Sequence, residues 1–345
     1  MSAVIAIIHS QLKKREMQNN IYLFYGEDSY SISKKINFWT DQFEQKHSGD
    51  TNIERIEGRD FNSKEFGTNI QTVPFLAEKR LVIIKDLLAN TKTDDQKNIT
   101  EIIENGIPDF CVLVFTETKP PDKRTSLFKL LNKTAKVEEF QPLQPAQLVN
   151  WIMDETAKRE GQIGRIEADF LAQRVGPNLW QLSNEIDKLI SRASKSSPIT
   201  KPLIEELVTP SLSSSIFRLT DAIATKNRKG SLQVFKTLID SGEDLMMTFY
   251  MLVRHFRILI QAHFLVNKGN DPASIAKKLK QHPYVATQAS NQSKNFTREH
   301  LKKIYEQFLQ IDKSFKTGKV KITADDNREL LLEIERFIIK TCKEY

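Results

Sequence analysis

The sequence predicts an α/β domain built on a parallel sheet, followed by two all-helical domains. Runs typical of strands alternate with runs typical of helices up to Phe140, and strand-like runs stop after that residue. This alternation is typical of a doubly wound parallel sheet. The chain of 345 residues is also longer than one ordinary core, which favours two or three domains. With 39% hydrophobic and 28% charged residues, it has the composition of a globular protein rather than a disordered one.

Five runs are the candidate strands of the sheet. They are IYLFYG (21–26), NIERIEG (52–58), RLVIIKDL (80–87), FCVLVFTET (110–118) and KVEEF (136–140). The continuous apolar runs LVII and CVLVF are typical of strands that are buried on both faces. Cys111 lies in the second of these runs, where we expect it to behave as a small buried hydrophobe. Segments with helical spacing, such as ISKKINFWTDQFEQ, separate the strands.

Two stretches rich in Pro or Ser mark the predicted domain boundaries. QPLQP (141–145) follows the last strand, and TPSLSSS (209–215) follows a set of four helical segments. The predicted domains are residues 1–141, 142–210 and 211–345. Gly161 and Gly176 are placed at helix C-caps, because glycine adopts the backbone conformation that such caps need.

The third predicted domain contains a well-marked helix, FTREHLKKIYEQFLQI (296–311). Thr297 is a favourable N-cap, and Phe296 and Leu301 occupy the two positions of a hydrophobic staple. Apolar residues at helical spacing form one stripe on this helix: Leu301, Ile304, Phe308 and Ile311. The last helix carries a second stripe: Leu330, Ile334, Phe337 and Ile338.

Positive charge is concentrated in the last third of the chain. Residues 212–345 hold 23 Lys and Arg against 14 Asp and Glu, whereas residues 1–211 hold 28 against 30. The net charge of +7 is mild for this length and does not by itself indicate nucleic-acid binding. The basic runs KKLKQHP (277–283) and KSFKTGKVK (313–321) are compatible with contact to DNA phosphates or to an acidic partner. A solvated helix face is the simpler alternative.

Several features favour a cytoplasmic protein with no membrane partner. The two cysteines are far apart, as expected in a reducing compartment, and MSAVIAIIHSQLKKRE lacks the pattern of a secretory signal. The most apolar region, residues 245–266, is interrupted by Arg254, His255, Arg257 and His263, which favours a buried helix over a membrane span. The six histidines show no zinc-binding pattern, so His255 and His263 are expected in a core or an interface. No metal site or cofactor is predicted.

The first candidate strand runs through GEDSYSIS into a helical segment, where a phosphate loop of the form G-x-x-x-x-G-K-[ST] would lie. Aligned on Gly26, the second glycine, the lysine and the hydroxyl of that motif fall on Ser31, Ile32 and Ser33. Isoleucine cannot neutralise a phosphate, and the two acidic residues after Gly26 would repel one. We therefore expect a degenerate loop that does not bind ATP.

Several motifs together resemble the delta subunit of the bacterial DNA polymerase III clamp loader, a family with an AAA+-like fold. IYLFYGEDSYSI resembles the first strand and degenerate loop of that family, and TVPFLAEKRLVIIKDL its third strand with the segment before it. LSNEIDKLI resembles a helix of its second domain. The C-terminal domain is matched by SIFRLTDAIA, LMMTFYMLVRHFRILIQA, KKLKQHPYV and IDKSFKTGK. The resemblance extends over nearly the whole chain.

The resemblance implies an AAA+-like domain with a parallel sheet, a small helical lid domain and a C-terminal helical collar domain. It implies a subunit that binds the sliding clamp (the beta subunit) and opens its ring, or traps it open, for loading on DNA during replication. Such a subunit does not hydrolyse ATP, although it belongs to a DNA-directed DNA polymerase holoenzyme, a nucleotidyltransferase complex. Its implied partners are the clamp, the other clamp-loader subunits through the collar domain, and DNA within the complex.

The clamp-binding element of that family is a short helix with exposed apolar residues just before the third strand. By resemblance it falls on QTVPFLAEKR, with Val73, Phe75 and Leu76 as apolar contacts and Gln71 as a flanking polar one. Pro74 lies inside this element and would have to occupy a first helical turn. The alternative is that Phe75 and Leu76 pack under the following strand.

Two other functions remain compatible with the residues alone. One is a P-loop-like NTPase with an atypical loop, against which Ile32 in place of lysine argues. The other is a nucleic-acid-binding adaptor that uses the basic C-terminal third.

Overall fold

The computed structural model describes residues 20–47, 49–90, 93–193, 197–321, 323 and 326–344. The segment tested for a secretory signal therefore lies outside the described residues. The chain divides into two compact units, Met1–Pro142 and Leu143–Tyr345, which we call unit 1 and unit 2. The division of the sequence into three domains stays a prediction.

Unit 1 is an α/β domain with five strands and five α-helices among its described residues. The strands are β1 (Ile21–Gly26), β2 (Ile53–Glu57), β3 (Arg80–Lys85), β4 (Cys111–Glu117) and β5 (Lys136–Phe140). The helices are α1 (Ser29–Lys46), α2 (Ser63–Gln71), α3 (Leu87–Asn90), α4 (Thr93–Asn105) and α5 (Ser126–Thr134). All five predicted strands are confirmed.

The five strands form one sheet in the order β2-β3-β4-β1-β5, and every pairing is parallel. The first strand lies between β4 and the edge strand β5, with Ile21 opposite Leu113 and Tyr22 opposite Lys136. Because parallel neighbours need crossover connections, helices lie between most consecutive strands and cover the sheet. The predicted α/β class with a parallel sheet is confirmed.

Strand residues alternate between two apolar clusters. The larger cluster takes Ile21, Leu23 and Tyr25 of β1 together with residues of α2, α4 and α5. The smaller cluster joins β1, β3 and β4 to α1 through Phe24, Ile32, Leu81, Ile83 and Val114. Cys111 is fully buried, as predicted, and this burial raises the pKa of its thiol to about 11.

Unit 2 is built from helices. They are α6 (Pro145–Lys158), α7 (Arg165–Val175), α8 (Leu179–Ala193), α9 (Lys201–Leu207), α10 (Leu212–Ala224), α11 (Arg228–Asp240), α12 (Leu245–Asn267), α13 (Pro272–Leu279), α14 (Pro283–Ser293), α15 (Arg298–Lys316) and α16 (Arg328–Glu344). Within the described ranges, none of the helices is both long enough and apolar enough to cross a bilayer.

The core of the second half of unit 2 forms around α12. Both predicted stripes, on α15 and α16, are buried in one cluster with Phe249 and Phe256 of α12. Thr297 caps α15, since its side chain accepts a hydrogen bond from the His300 N–H at 3.2 Å. His255 is also buried in α12, which confirms its predicted core position.

Of the two predicted glycine caps, one is confirmed and the other is wrong. Gly176 caps α7 with a φ of 88°. At the end of α6 the left-handed residue is Glu160, with a φ of 62°, and Gly161 comes after it. A Cβ on Gly161 would lie 2.7 Å from Cγ1 of Ile190, so this glycine is required by packing rather than by the cap.

Candidate partner-binding loop and altered phosphate loop

The turn between β1 and α1 is too short to wrap a phosphate. Only two residues separate Gly26, the last residue of β1, from Ser29, the first residue of α1. Gly26 has a φ of 145°, and a Cβ there would lie 2.0 Å from the carbonyl oxygen of Phe140. Glycine is therefore needed because the end of β5 approaches the backbone closely, and this requirement is independent of any ligand.

The N-terminus of α1 is capped by a carboxylate of the protein itself. Asp28 is the N-cap, and its Oδ1 accepts a hydrogen bond from the Ser31 N–H at 2.9 Å. The Asp28 N–H donates to the carbonyl oxygen of Phe140 at 3.2 Å. A helix N-terminus attracts anions through its free N–H groups, and here the Asp28 carboxylate already accepts from one of them, that of Ser31. A phosphate at this position would meet like charge.

The position that corresponds to the phosphate-loop lysine belongs to the core. Ile32 is 3% exposed and packs with Leu81, Ile83 and Val114 under α1. Ser31 and Ser33 lie on either side of it within α1. The four residues of the predicted degenerate loop are thus divided between the end of a strand and a packed helix.

Asp86 directly follows β3 and Glu117 is the last residue of β4, and both carboxylates accept hydrogen bonds from within unit 1. Oδ1 of Asp86 accepts hydrogen bonds from the N–H and the Oγ1 hydroxyl of Thr118, both at 2.8 Å. Glu117 is fully buried, and its Oε1 accepts from the Leu88 N–H at 2.7 Å. Burial raises the pKa of Glu117 to about 7. The sequence analysis missed Glu117, although an acid at the end of a buried strand is a recognisable signal.

The segment between α2 and β3, residues 72–79, is a loop, which we call the apolar loop. The prediction that it forms a short helix is wrong, because α2 ends at Gln71 and no helix follows before Arg80. Pro74 explains this outcome, since it lacks a backbone donor and disfavours helical geometry at the residue before it. Leu76 adopts a left-handed conformation with a φ of 51°, which a continuing helix does not allow.

The apolar loop exposes the three residues that the sequence singled out as apolar contacts. Val73 is 72% exposed, Phe75 67% and Leu76 82%, and Gln71 beside them is also exposed. The alternative that Phe75 and Leu76 pack under the following strand is therefore wrong. Large apolar side chains that are exposed together are typical of a surface that binds a partner.

Hydrogen bonds from the rest of unit 1 hold the apolar loop at its middle and at its two ends. The side chain of Asn52 bonds both the N–H and the carbonyl oxygen of Phe75. Glu54 bonds Asn69 just before the loop and Arg80 just after it. The Lys79 ammonium donates to the carbonyl oxygen of Asp109 at 2.8 Å. The sequence analysis missed Asn52 and Glu54, and no local pattern marks them.

The basic runs lie at the surface of unit 2. Lys277, Lys278 and Lys280 are exposed at the end of α13. At the end of α15 and just after it, Lys313, Lys316 and Lys319 are likewise exposed. This exposure fits both predicted alternatives, a contact with DNA or an acidic partner and a solvated helix face, so a DNA contact stays a prediction. Among the described residues, no group of three or more His, Cys, Asp or Glu is placed to hold a metal ion.

The fold defines a class of protein: an α/β domain with a parallel five-stranded sheet, followed in the chain by a large helical region. Family models match both parts of the chain, the DNA polymerase III delta subunit over residues 22–141 and its C-terminal domain over residues 213–334. The chain belongs to the family of DNA polymerase III delta subunits, which are clamp-loader subunits that act in DNA replication.

A curated sequence and a solved structure from Bacillus subtilis agree with this assignment. DNA polymerase III subunit delta of strain 168 is 26% identical over 343 residues, which are 97% of this chain and 96% of the relative. The solved structure of the DNA clamp loader delta protein matches with a TM-score of 0.71 and 25% identity, over 99% of this chain and 100% of that one. The resemblance seen in the sequence is confirmed.

Proposed function

We propose that this subunit binds the ring-shaped sliding clamp through the apolar loop and opens the ring, or traps it open, without hydrolysing ATP itself. The observation that carries the proposal is the exposure of Val73, Phe75 and Leu76 on a loop whose backbone is held in place. Exposed apolar side chains on a fixed backbone lose less conformational freedom on binding than those on a free loop, so a larger part of their burial energy remains as affinity.

The size of this surface fits a binding hot spot. Burial of a Val, Leu or Phe side chain contributes roughly 1.5–3 kcal/mol, and two such groups in a partner pocket contribute about 3–6 kcal/mol before the costs of association. Interfaces commonly depend on a few residues of this kind. Gln71 adds a polar group at the edge of the same surface.

The altered phosphate loop supports a role without hydrolysis. The Asp28 carboxylate caps α1 by accepting from the Ser31 N–H, and the position of the expected lysine is occupied by the buried Ile32. The energy for opening the ring would then come from binding alone. Binding shifts the ring towards its open form only if the open form is bound more tightly than the closed one.

We also propose that the other clamp-loader subunits bind the helical C-terminal region. Large apolar side chains are exposed on three of its helices: Met247 and Phe264 on α12, Leu309 on α15 and Leu332 on α16. Exposed apolar groups of this size favour burial against neighbouring subunits. The lysines of the basic runs support a contact with DNA inside the complex.

The apolar loop is tested by replacing Phe75 and Leu76 together with alanine. We expect the affinity for the clamp of the same organism to fall at least about 100-fold, because two buried apolar anchors are lost. The affinity is measured by surface plasmon resonance, and circular dichroism checks the fold. Phe38→Ala is the matched control, since Phe38 is a 61% exposed phenylalanine on α1 of the same unit. Unchanged affinity in the double variant rejects the proposal.

Ring opening is tested by comparing two forms of the clamp. One is a ring whose interfaces are closed by engineered cross-links, and the other is a clamp protomer that cannot form a ring. We expect tighter binding to the free protomer, because it needs no interface to be broken. Equal affinity for both forms would mean that the subunit binds the clamp without opening it.

A further inference from the structure

The apolar loop is fixed at its two ends by one residue of the edge strand β2. The carboxylate of Glu54 accepts from Nδ2 of Asn69, the third residue before the loop. It also accepts from Nη2 of Arg80, the first residue after the loop, at 2.5 Å. These contacts fix the residues on either side of the loop, but neither of them reaches the backbone of Phe75 or Leu76.

Asn52 supplies a tether at the middle of the loop. It ends a short 3₁₀ turn, Asp50–Asn52, directly before β2, and it is only 2% exposed. Its Nδ2 donates to the carbonyl oxygen of Phe75 at 2.9 Å, and its Oδ1 accepts from the Phe75 N–H at 2.7 Å. A side-chain amide thus pairs with both backbone groups of one residue, as a neighbouring strand would.

We infer that Asn52 is a positioning residue for clamp binding, which holds the Phe75 backbone so that the side chains of Phe75 and Leu76 point to solvent. This inference rests on the proposed function of the apolar loop. Because Asn52 is buried, it acts on the clamp only through the loop that it holds. Its effect on affinity comes from ordering the loop before binding, which removes an entropic cost from the association step.

The left-handed backbone at Leu76 makes this support necessary. Leucine disfavours a positive φ, so a free loop would leave this conformation for a more extended one. The two hydrogen bonds at Phe75 fix the residue directly before it and thereby hold the turn. Loss of the tether should release both apolar side chains together.

The inference is tested with three variants at position 52. Asn52→Leu keeps the number and branching of the side-chain heavy atoms and removes both hydrogen bonds, Asn52→Ala truncates the side chain at Cβ, and Asn52→Asp keeps only the acceptor. We expect about ten-fold weaker clamp binding for the first two and an intermediate loss for Asn52→Asp. Asn37→Ala, at an exposed asparagine on α1, is the control and should bind as the unmodified chain does.

A second readout separates loop ordering from a general loss of stability. Hydrogen–deuterium exchange should show the Phe75 amide protected in the unmodified chain and unprotected in Asn52→Leu, with the amides of β3 and β4 unchanged in both. If the Phe75/Leu76 double variant loses clamp binding while the Asn52 variants bind normally, the role of Asn52 is rejected and the proposed function stands. If the double variant binds normally, the proposed function itself fails.

Discussion

Ile32 and Asp28 show how single residues convert a possible phosphate site into ordinary structure. Ile32 fills the space between α1 and the sheet, so a lysine there would have to leave the core or bury its charge. Asp28 provides the cap that the first turn of α1 needs. The sequence predicted the loss of phosphate binding from charge alone, and the structure adds that both residues now have structural roles.

A lysine placed at position 32, as the phosphate-loop motif requires, should not create an ATP site. Ile32→Lys should lower the free energy of unfolding by several kcal/mol, because it places an ammonium in an apolar cluster, and it should give no saturable ATP binding at micromolar nucleotide. Urea denaturation and equilibrium dialysis with labelled ATP measure the two quantities. Asn37→Lys, at an exposed position of α1, is the control and should leave the stability nearly unchanged. A stable Ile32→Lys variant that binds ATP would contradict the assignment of Ile32 to the core.

At the scale of elements, the sequence predicted the strands better than the loop. The strands β3 and β4 are continuous apolar runs, and such runs are buried wherever the sheet places them. The apolar loop was predicted to be helical because the resemblance places a helix there. Pro74 and the left-handed Leu76 outweigh that expectation, since both act locally on the backbone.

The contacts that hold the apolar loop illustrate what sequence reasoning does not reach. Asn52 and Phe75 are separated by 23 positions, and Glu54 and Arg80 by 26. Glu54 and Arg80 come together through the parallel register of β2 and β3, and Asn52 reaches Phe75 from the turn directly before β2. No local pattern specifies either contact. The exposure of Phe75 or Leu76 could be predicted from the sequence, because adjacent residues rarely share one buried face. The contacts that hold the loop could be identified only from the folded structure.

Considered over both units, burial shifts the pKa of a carboxyl in unit 1 up towards neutrality and the pKa of an imidazole in unit 2 down, away from neutrality. In unit 1, burial raises the pKa of Glu117 from its ordinary value of 4.5 to about 7. In unit 2, burial lowers the pKa of His255 from 6.5 to about 4. The two shifts affect the stability of their units on opposite sides of neutrality.

The carboxyl of Glu117 makes unit 1 less stable as the pH rises. Between pH 4.5 and 7 the folded state holds a proton on Glu117 that the unfolded state has released. The free energy of unfolding therefore falls through this window, by about 3 kcal/mol in all. Asp86 adds to the effect, because its nearby negative charge also favours the protonated form of Glu117.

The imidazole of His255 makes unit 2 less stable as the pH falls. Its Nε2 lies 2.8 Å from Oε1 of Gln292, whose amide nitrogen donates to the Phe217 carbonyl and to Asp221. The ring is therefore a neutral donor within a buried network. Between pH 6.5 and 4 the unfolded state binds a proton that the folded state does not, so stability is lost on acidification, again by about 3 kcal/mol.

These opposite dependences predict that alkali weakens unit 1 first and acid weakens unit 2 first. Urea denaturation between pH 4.5 and 8 can follow each unit separately, because Trp39 lies in unit 1 and Trp151 and Trp180 lie in unit 2. Variants that keep only one set of tryptophans supply the two signals. Glu117→Gln should reduce the pH dependence of the free energy of unfolding that the Trp39 signal reports. His255→Gln should reduce the loss of stability at low pH that the unit 2 signal reports. Glu101→Gln, at an exposed carboxyl, is the control. If Glu117→Gln leaves the unit 1 profile unchanged, its carboxyl is not the group that sets this dependence, and burial at the end of β4 has been compensated by contacts that keep the charged form stable.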